Sequence, residues 1–447
     1  MRGRSSVAAR VAVAAIAIAV SIAASGDGAR ANPLSLASFG GLRGDAVYSG
    51  AYALYWNPAA LAGPSWDVGL DLQLISRQAS YDRDAILNAV PDAEVAANAG
   101  VATISTTGVV PSVMGRWGRA LGAFDIGVGG GAFVENGGSA AWDKNLRAPA
   151  GAPGAVDGPQ RWASISAQLL LVDIAIGLAA RHRATGLSLG FVPILVAGTF
   201  STVRARNIDQ SEDIVDAQGN PKEGRAYFDG SGVGFSAIVG VRWDGTSERT
   251  RGWAVGATYQ RGARVDLVGD LRVAFGSQDP SSQRAHLLLP IADTVRLSAA
   301  LRATRWLTLR PTFEWVLWSA LKEHVFAATD GTPLLVVPRS FHDLVAGRVR
   351  ADARISPRWR VMLGVGAERG PTPASTMEPG FGESSNIEVG AGASVALGHR
   401  VDLSATLLYK WYLPLTVDNS AQRPTTNGTY RDQRETLVVD LEVHGWR

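Results

Sequence analysis

Apolar and polar residues alternate with a period of two along most of this 447-residue chain. Near the C-terminus, for example, Val401, Leu403 and Leu407 fall on one face of an extended strand, whereas Asp402 and Lys410 fall on the other. Because successive side chains of a β-strand point to opposite faces of the sheet, this alternation gives each strand one apolar and one polar face. The pattern predicts an all-β protein whose strands separate two different environments.

The composition of the two faces indicates what these environments are. In the segment 345–355 the polar face carries Arg348, Arg350 and Asp352, and the apolar face consists of slim residues such as Val349. A soluble β-sandwich packs bulky apolar residues into its core, whereas a transmembrane barrel turns its apolar faces towards lipid and its polar faces towards the lumen. The pattern therefore favours a transmembrane barrel over a soluble secreted β protein.

The first 31 residues have the three parts of a secretory signal peptide. Three arginines precede an apolar segment from Val11 to Ala24, and Ala29-Arg30-Ala31 resembles a signal cleavage site. The apolar segment is shorter than the roughly 20 residues that a transmembrane helix needs. We therefore predict an exported protein from which residues 1–31 are removed. The alternatives are an earlier cut near Ala24 and an N-terminal anchor helix.

Removal of this leader leaves a chain without net charge. The whole chain has 43 Lys and Arg against 40 Asp and Glu, and the leader holds four arginines and one aspartate, so 39 of each remain. A neutral mature chain gives no electrostatic reason to expect nucleic-acid binding. The chain has no cysteine, and its six histidines lack the spacing of metal ligands. We expect no metal site, no cofactor and no enzymatic activity.

The alternating segments divide the chain into fourteen predicted strands whose connections alternate between short and long. This arrangement is typical of outer-membrane barrels, in which the short turns are periplasmic and the long loops face outwards. We predict an all-β fold, a 14-stranded antiparallel transmembrane β-barrel over residues 66–447, with residues 32–65 as a plug inside its lumen. The predicted strands are 66–79, 108–118, 121–135, 160–182, 186–206, 226–243, 251–270, 284–302, 305–320, 341–356, 358–369, 384–397, 400–414 and 432–446.

Three short motifs make the chain similar to a known family. Asn57-Pro58-Ala59 follows a glycine-rich segment and precedes the first predicted strand, Trp318-Ser319 closes the ninth, and Gly428-Thr429-Tyr430 precedes the last. Behind a signal peptide, this combination resembles the FadL/OmpP1/TodX family of outer-membrane transporters for hydrophobic compounds. The C-terminus departs from the usual barrel pattern, because Trp446 is followed by Arg447 and does not end the chain.

The resemblance implies passive uptake of long-chain fatty acids or similar compounds across the bacterial outer membrane. In such a device the outer loops capture the ligand, the hatch (the N-terminal plug, residues 32–65) moves, and the ligand leaves sideways into the membrane. Two alternatives stay open: uptake of aromatic or alkane hydrocarbons by the same device, and a structural barrel without a ligand. The implied partners are a fatty acid, hydrocarbon or detergent and the outer-membrane lipids and lipopolysaccharide, with the protein as a monomer.

The resemblance also implies a position for the sideways opening. In that family a kink in the third strand faces the hatch and opens the barrel wall. Gly129, Gly130 and Gly131 lie on the third predicted strand, and glycines within a strand permit kinks and bulges. We predict that the hatch motif Asn57-Pro58-Ala59 covers an opening at these glycines. The alternative is that the glycines only make room for the plug.

An arginine in the lumen would suit a ligand that carries a carboxylate, because the two groups form charge-assisted hydrogen bonds. Arg348 and Arg350, on the polar face of the tenth predicted strand, are the candidates. The alternative is that they are paired with Asp352 or with other lumenal acids. A hydrocarbon ligand would need no arginine.

Overall fold

The strands of this protein form a single closed sheet. The computed structural model describes residues 37–85, 92–148, 152–276 and 279–445, so the predicted signal peptide and Trp446 lie outside the described residues. Twenty strand segments belong to one sheet, and their pairings are antiparallel. The last segment pairs with the first from Asp67 opposite His444 to Arg83 opposite Gly428, which closes the sheet. The predicted antiparallel β-barrel is confirmed.

Helices are few and short. The α-helices are α1 (Ala53–Trp56) and α2 (Asp92–Asn98), and short 3-10 helices occupy Gly41–Arg43, Pro58–Leu61, Pro153–Asp157, Pro159–Trp162, Trp318–Ala320 and Ala374–Thr376. None of the helices in the described part of the chain is long and apolar enough to span a bilayer.

The strand segments follow the alternating stretches of the sequence. In chain order they are β1 (Trp66–Arg83), β2 (Gly100–Leu121), β3 (Phe124–Phe133), β4 (Gly137–Ala141), β5 (Ser166–His182), β6 (Leu187–Arg206), β7 (Gly224–Asp244), β8 (Ala254–Arg261), β9 (Arg264–Ala274), β10 (Ser281–Pro290), β11 (Thr294–Arg302), β12 (Leu307–Val316), β13 (Glu323–Ala328), β14 (Pro333–Pro338), β15 (Leu344–Arg354), β16 (Trp359–Arg369), β17 (Asn386–Leu397), β18 (Val401–Tyr412), β19 (Leu415–Val417) and β20 (Gly428–His444).

Six of the barrel strands consist of two segments each, so the twenty segments make fourteen strands. The segments β8 and β9, for example, both pair with β7 and are two halves of one strand. The divided strands are the third (β3 and β4), seventh (β8 and β9), eighth (β10 and β11), ninth (β12 and β13), tenth (β14 and β15) and thirteenth (β18 and β19). The predicted number of strands is confirmed.

Several strands run further into the long connections than the sequence predicts. The hairpin of β13 and β14 lies in a stretch predicted to be loop, with Glu323 opposite Pro338. Likewise β1 and β2 pair as far as Arg83 opposite Gly100. Pairing with a neighbouring strand supplies hydrogen bonds and side-chain contacts that the alternation of a single strand does not reveal. The barrel therefore extends beyond its clearly amphipathic zone on the side of the long loops.

The apolar faces of the strands lie on the outside of the barrel. Leu70 and Leu72 are 43% and 47% exposed, whereas Asp71 between them is 2% exposed. At the other end of the chain, Leu407 is 54% exposed and its neighbour Thr406 is 1% exposed. An apolar exterior around a polar interior is the arrangement that lipid stabilises and water does not.

Two unlike surfaces line the lumen. One is an apolar column that extends from Tyr55 and Leu61 of the hatch, through Leu171 on β5, to Phe228 and Phe326 on the side of the long loops. The other is a charged wall built mainly by the later strands. Its members include Arg296, Glu314, Arg348, Glu368, Glu388 and Lys410. The candidate site lies at the top of the apolar column.

Candidate functional site

The hatch is anchored to the barrel by Asn57, the residue between α1 and the 3-10 helix Pro58–Leu61. Its side-chain oxygen accepts a 3.0 Å hydrogen bond from the Ala59 amide, and proline occupies the first position of that short helix, which is a standard way to start a helix. The Asn57 Nδ2 donates to the Ala46 carbonyl within the hatch at 2.7 Å and to the Val241 carbonyl of β7 at 3.1 Å. The motif thus shapes the hatch and ties it to the wall.

Two glycines of the wall let this motif approach closely. A Cβ on Gly190 of β6 would lie 2.2 Å from the Pro58 carbonyl carbon, and one on Gly240 of β7 would lie 2.1 Å from the Asn57 Oδ1. Either contact would force the hatch away from the strands. The motif Asn57-Pro58-Ala59 therefore lies against the fifth and sixth barrel strands, and the same short helix reaches the third strand through Leu61, close to Gly127 and Gly129. That the motif covers an opening at the third strand stays a prediction.

The three glycines of the third strand lie in an unbroken ladder. Gly129, Gly130 and Gly131 pair with β2 on one side and with β5 on the other. A Cβ on Gly129 would lie 2.9 Å from the Leu61 Cδ2 of the hatch, so this glycine makes room for the plug. The strand is interrupted three residues further on, between Phe133 and Gly137. The ladder is thus continuous at the three glycines, and the opening predicted there stays a prediction.

The interruption itself is tied to the interior of the barrel. Glu135 is 9% exposed, and its carboxylate accepts hydrogen bonds from the Tyr55 hydroxyl at 3.0 Å and from the Gln260 Nε2 at 2.6 Å. Its backbone amide donates to the Asp173 carboxylate of β5 at 3.2 Å. These bonds pull the chain inwards and out of the plane of the sheet, so they account for the break.

Beyond the break, the described part of β2 pairs in a ladder with β1 alone, although the Asp143 amide just after β4 still donates a 3.0 Å hydrogen bond to the Thr103 carbonyl. Its pairing with the third strand ends at Val113 opposite Ala132, although β2 itself continues back to Gly100 along β1. The fragment β4 pairs with β5 alone. A discontinuity therefore runs through the wall between β2 and β4, and apolar side chains cluster beside it, namely Val110 with Val134 and Ile104 with Ala140.

The two arginines singled out in the sequence lie on the charged wall. Arg348 forms ion pairs with Glu314 at 2.8 Å, Glu368 at 3.3 Å and Glu388 at 3.6 Å. Arg350 donates a hydrogen bond to the Gly44 carbonyl of the hatch. Both line a cavity whose wall carries acidic and basic side chains together. Arg348 thus has acidic partners on the wall, and Arg350 holds the hatch.

Further ion pairs hold the hatch against the same wall. Arg43 pairs with Asp440 and, at 3.2 Å, with Glu442, and both acids belong to the last strand. In the opposite sense, Asp45 of the hatch pairs with Arg310 of β12 at 2.9 Å. Because all of these groups are largely buried, removal of one partner would leave an uncompensated charge inside the barrel. The hatch is thus clamped by charges on one side and packed on apolar residues on the other.

A second cavity lies between the apolar column and the long loops. Phe228 stands at its centre and contacts Phe326 edge to face, with 5.1 Å between the ring centroids. The cavity reaches β4, the fragment beside the discontinuity, through Ser139 and Ala140. The other apolar side chains that line it are Leu169, Phe200, Leu271, Leu287, Leu289, Leu335, Val337 and Phe381. We call this cavity the apolar pocket.

One end of the apolar pocket is polar. Arg339 pairs with Glu378 at 2.6 Å, and Arg204 lies 3.8 Å from the same carboxylate. The Arg339 Nε donates to the His324 Nδ1 at 3.1 Å. A nitrogen that accepts this bond carries no proton, so the histidine is neutral and its Nε2 carries the hydrogen. Two basic groups thus face one acid, which leaves an excess of positive charge.

Two hydrogen-bond donors at this end have no partner among the described residues. They are the Nη1 of Arg339 and the Nε2 of His324, and both atoms are buried. Arg339 is 4% exposed and His324 is 5% exposed, so water covers neither side chain well. A buried donor without an acceptor is unfavourable. The polar end is therefore complementary to a ligand group that brings acceptor oxygens and negative charge.

Among the described residues, no constellation of side chains points to a metal or a hydrolase. No three His, Cys, Asp or Glu side chains of that part of the chain come together as metal ligands would. Gly186-Leu187-Ser188-Leu189-Gly190 has the spacing of a nucleophile elbow, but Ser188 lies in the regular ladder of β6, opposite Arg242. An elbow needs a sharp turn from a strand to a helix, which is absent at this position.

The path of the chain matches several solved structures over nearly its whole length. A FadL homologue from Pseudomonas aeruginosa has a TM-score of 0.74 at 15% sequence identity, covering 92% of this chain and 99% of that one. The toluene transporter TodX of P. putida has a TM-score of 0.64 at 15% identity, with coverages of 90% and 99%. The chain has the FadL/TodX fold. The toluene transporter TbuX of Ralstonia pickettii gives 0.62 at 14% identity, with coverages of 93% and 100%. No family model and no curated protein matches the sequence.

Within this FadL/TodX fold, the polar end of the pocket is the part that sequence reasoning missed. His324 and Arg339 flank the hairpin of β13 and β14, in a stretch predicted to be a long loop, and Glu378 lies in the loop before β17. No local signal singled them out, because the same stretch also carries Lys322, Glu323 and Asp330. Only the fold brings Glu378 to them.

Proposed function

We propose that this chain belongs to the FadL/OmpP1/TodX family and takes up hydrophobic compounds passively across the bacterial outer membrane. The ligand class that we propose is the long-chain fatty acids and similar acidic amphiphiles. The observation that carries the proposal is the apolar pocket, with its aromatic body and the two unpartnered donors of His324 and Arg339 at one end. The solved structures that share the fold include toluene transporters, which supports a hydrophobic ligand.

The pocket would bind the two parts of an amphiphile by different forces. Burial of apolar surface contributes roughly 25 cal/mol per Å², so about 300 Å² of hydrocarbon chain would contribute about 7 kcal/mol before the costs of association. A carboxylate would accept hydrogen bonds from Arg339 and His324, and charge-assisted bonds of this kind are worth about 1.5–3 kcal/mol each. A hydrocarbon would gain the first contribution but leave both donors unpaired.

On this proposal the ligand leaves the pocket sideways, through the discontinuity between β2 and β4. The pocket adjoins β4 through Ser139 and Ala140, and the edge of β2 lacks a ladder partner there. Apolar side chains such as Val110 beside the discontinuity suit a hydrophobic ligand. The axial route is less suitable, because the ion pairs and packing of the hatch occupy the lumen below the pocket.

Replacement of Arg339 by Gln tests the ligand class. The matched control is Arg348→Gln, which removes the same charge from the lumen but not from the pocket. We expect Arg339→Gln to weaken binding of a radiolabelled long-chain fatty acid to the purified barrel about tenfold, equivalent to about 1.4 kcal/mol. Binding of an alkane of the same length should not weaken, and Arg348→Gln should leave the affinity for the fatty acid near that of the wild type.

The two alternative functions predict different outcomes in this experiment. A hydrocarbon transporter would bind the alkane tightly, and its affinity for the fatty acid would be the same in the wild type and in Arg339→Gln. A folded barrel that binds neither compound would favour a structural protein without a ligand. Sideways release is tested separately by measuring fatty-acid uptake into cells that produce a variant such as Ala140→Trp. The bulky side chain narrows the discontinuity, so uptake should fall if the ligand leaves by this route.

A further inference from the structure

The two ends of the barrel carry opposite charge. The six short turns, at 122–123, 183–186, 245–253, 303–306, 355–358 and 398–400, contain six arginines and a single acidic residue, Glu248. The seven long connections, at 84–99, 142–165, 207–223, 275–280, 329–332, 370–385 and 418–427, contain fifteen acidic residues against five basic ones. Residues 32–447, which carry no net charge in total, are thus strongly polarised along the axis of the barrel. We call the end with the short turns the turn end.

Four arginines at the turn end are exposed and have no acidic partner among the described residues. Arg119, Arg251, Arg305 and Arg358 are all exposed, and none of the ion pairs within the described residues includes them. By contrast, most arginines in the lumen are paired with an acid, as Arg348 is with Glu314. These four arginines lie in or beside the turns that connect strand 2 to 3, 6 to 7, 8 to 9 and 10 to 11. The positive charge therefore follows the rim of the barrel and does not form one patch.

A tryptophan accompanies each of these four arginines. The pairs are Trp117 with Arg119, Trp253 with Arg251, Trp306 with Arg305, and Trp359 with Arg358. The four indole side chains are between 44% and 51% exposed. Tryptophan prefers the layer between hydrocarbon and water, where its ring is in the apolar part and its N–H meets headgroups. The arginines beside these rings therefore lie at the depth of the lipid phosphates.

We propose that the turn end of the barrel is a docking surface for anionic phospholipids, such as phosphatidylglycerol, of the leaflet at that end. Arginine forms bidentate hydrogen bonds with phosphate oxygens, and a basic segment at the surface of an anionic membrane is attracted to it. Lipid is the occupant that the geometry favours, because the charge surrounds the outer rim and each arginine adjoins an interfacial tryptophan. A soluble acidic protein would instead need one contiguous patch. This surface would fix the depth and tilt of the barrel and is independent of ligand uptake.

The preference for anionic lipid can be measured on the purified full-length protein in micelles with equal amounts of phosphatidylglycerol and phosphatidylcholine. We expect the lipid retained by the wild type, counted by native mass spectrometry, to be enriched severalfold in phosphatidylglycerol. The enrichment should fall as salt is added, since salt screens exposed charges. Equal retention of the two lipids by the wild type would overturn the proposal without any variant having to fold.

A charge-matched pair of variants locates the surface. The turn-end variant combines Arg119→Gln, Arg251→Gln, Arg305→Gln and Arg358→Gln, and the control variant combines Arg147→Gln, Arg272→Gln, Arg423→Gln and Arg431→Gln at the opposite end. We expect the turn-end variant to lose the enrichment and the control to keep it, with fatty-acid binding unchanged in both. An equal loss in both variants, or none in the turn-end variant, would contradict the proposal. Lipid enrichment that stays intact in the turn-end variant would assign these arginines to another occupant, such as an acidic protein, and overturn the lipid proposal.

Discussion

Tyr55 of the hatch donates a 3.0 Å hydrogen bond to Glu135, which lies in the break of the third barrel strand. The Tyr55 hydroxyl in turn accepts a 2.6 Å bond from Arg296, and Glu135 accepts another from Gln260. Plug and broken strand therefore share one buried hydrogen-bond network. Because the members of such a network strengthen one another, a movement of the hatch would release the break as well.

This connection predicts the effect of Tyr55→Phe, which removes the hydroxyl and keeps the ring. We expect amide hydrogen exchange to rise about tenfold, equivalent to about 1.4 kcal/mol, both in the hatch and in residues 134–136. The control is Tyr48→Phe, which removes the bond from the hatch to Glu442 of the last strand. It should accelerate exchange in the hatch alone. Unchanged exchange at 134–136 in Tyr55→Phe would show that the hatch and the break are independent.

Asn57→Ala should loosen the hatch from the wall. The change removes the acceptor of the Ala59 amide and the donor to the Val241 carbonyl, and loss of such a capping residue costs about 0.5–2 kcal/mol. We expect ion conductance in planar bilayers to show transient openings that the wild type lacks. Asn57→Ser, whose hydroxyl can still accept from the Ala59 amide but which lacks the Nδ2 group, should give fewer openings than alanine. Traces identical to the wild type for both variants would mean that the anchor lies elsewhere.

Gly129 and Gly130 should respond differently to the same substitution. A side chain on Gly129 would meet Leu61 and Leu54 of the hatch, and overpacking of this kind costs about 1–3 kcal/mol. A Cβ on Gly130 would find no atom closer than 3.6 Å, so valine is accommodated there. We expect Gly129→Val to lower the midpoint of urea unfolding and Gly130→Val to leave it unchanged. A similar decrease for both would attribute the effect to the strand itself and not to the hatch.

The exposure of Leu70 and Asp71 predicts which strand face meets lipid. The chain has no native cysteine, so a spin label can be attached at Leu70→Cys or at Asp71→Cys without background. In reconstituted bilayers the label at Leu70 should be relaxed by oxygen dissolved in the lipid, and the label at Asp71 should not. For the same reason, Leu70→Arg should lower the free energy of unfolding of the barrel by about 2–4 kcal/mol. Relaxation of the label at Asp71 instead would invert the assignment of inside and outside.

The alternation of residue types by itself determined the number of strands, their order and their two faces. This is possible because the alternation is a local property: Leu70 and Asp71 point to opposite sides of a strand whatever its neighbours are. Strands with one apolar and one charged face are satisfied in a barrel that turns the apolar face outwards and encloses a polar lumen. The exposure of Leu407 and the burial of Thr406 illustrate this arrangement.

Only the tertiary structure decided where the third strand breaks and which arginine faces the pocket. Glycines permit a break but do not impose one, so the ladder continues through Gly130 and ends where Glu135 is drawn inwards by Tyr55. Similarly, Arg348 and Arg339 are both arginines near acidic residues in the sequence. The acids that surround Arg348 lie on neighbouring strands, whereas a buried nitrogen of Arg339 has no partner. These differences arise from contacts between distant segments, which no local pattern contains.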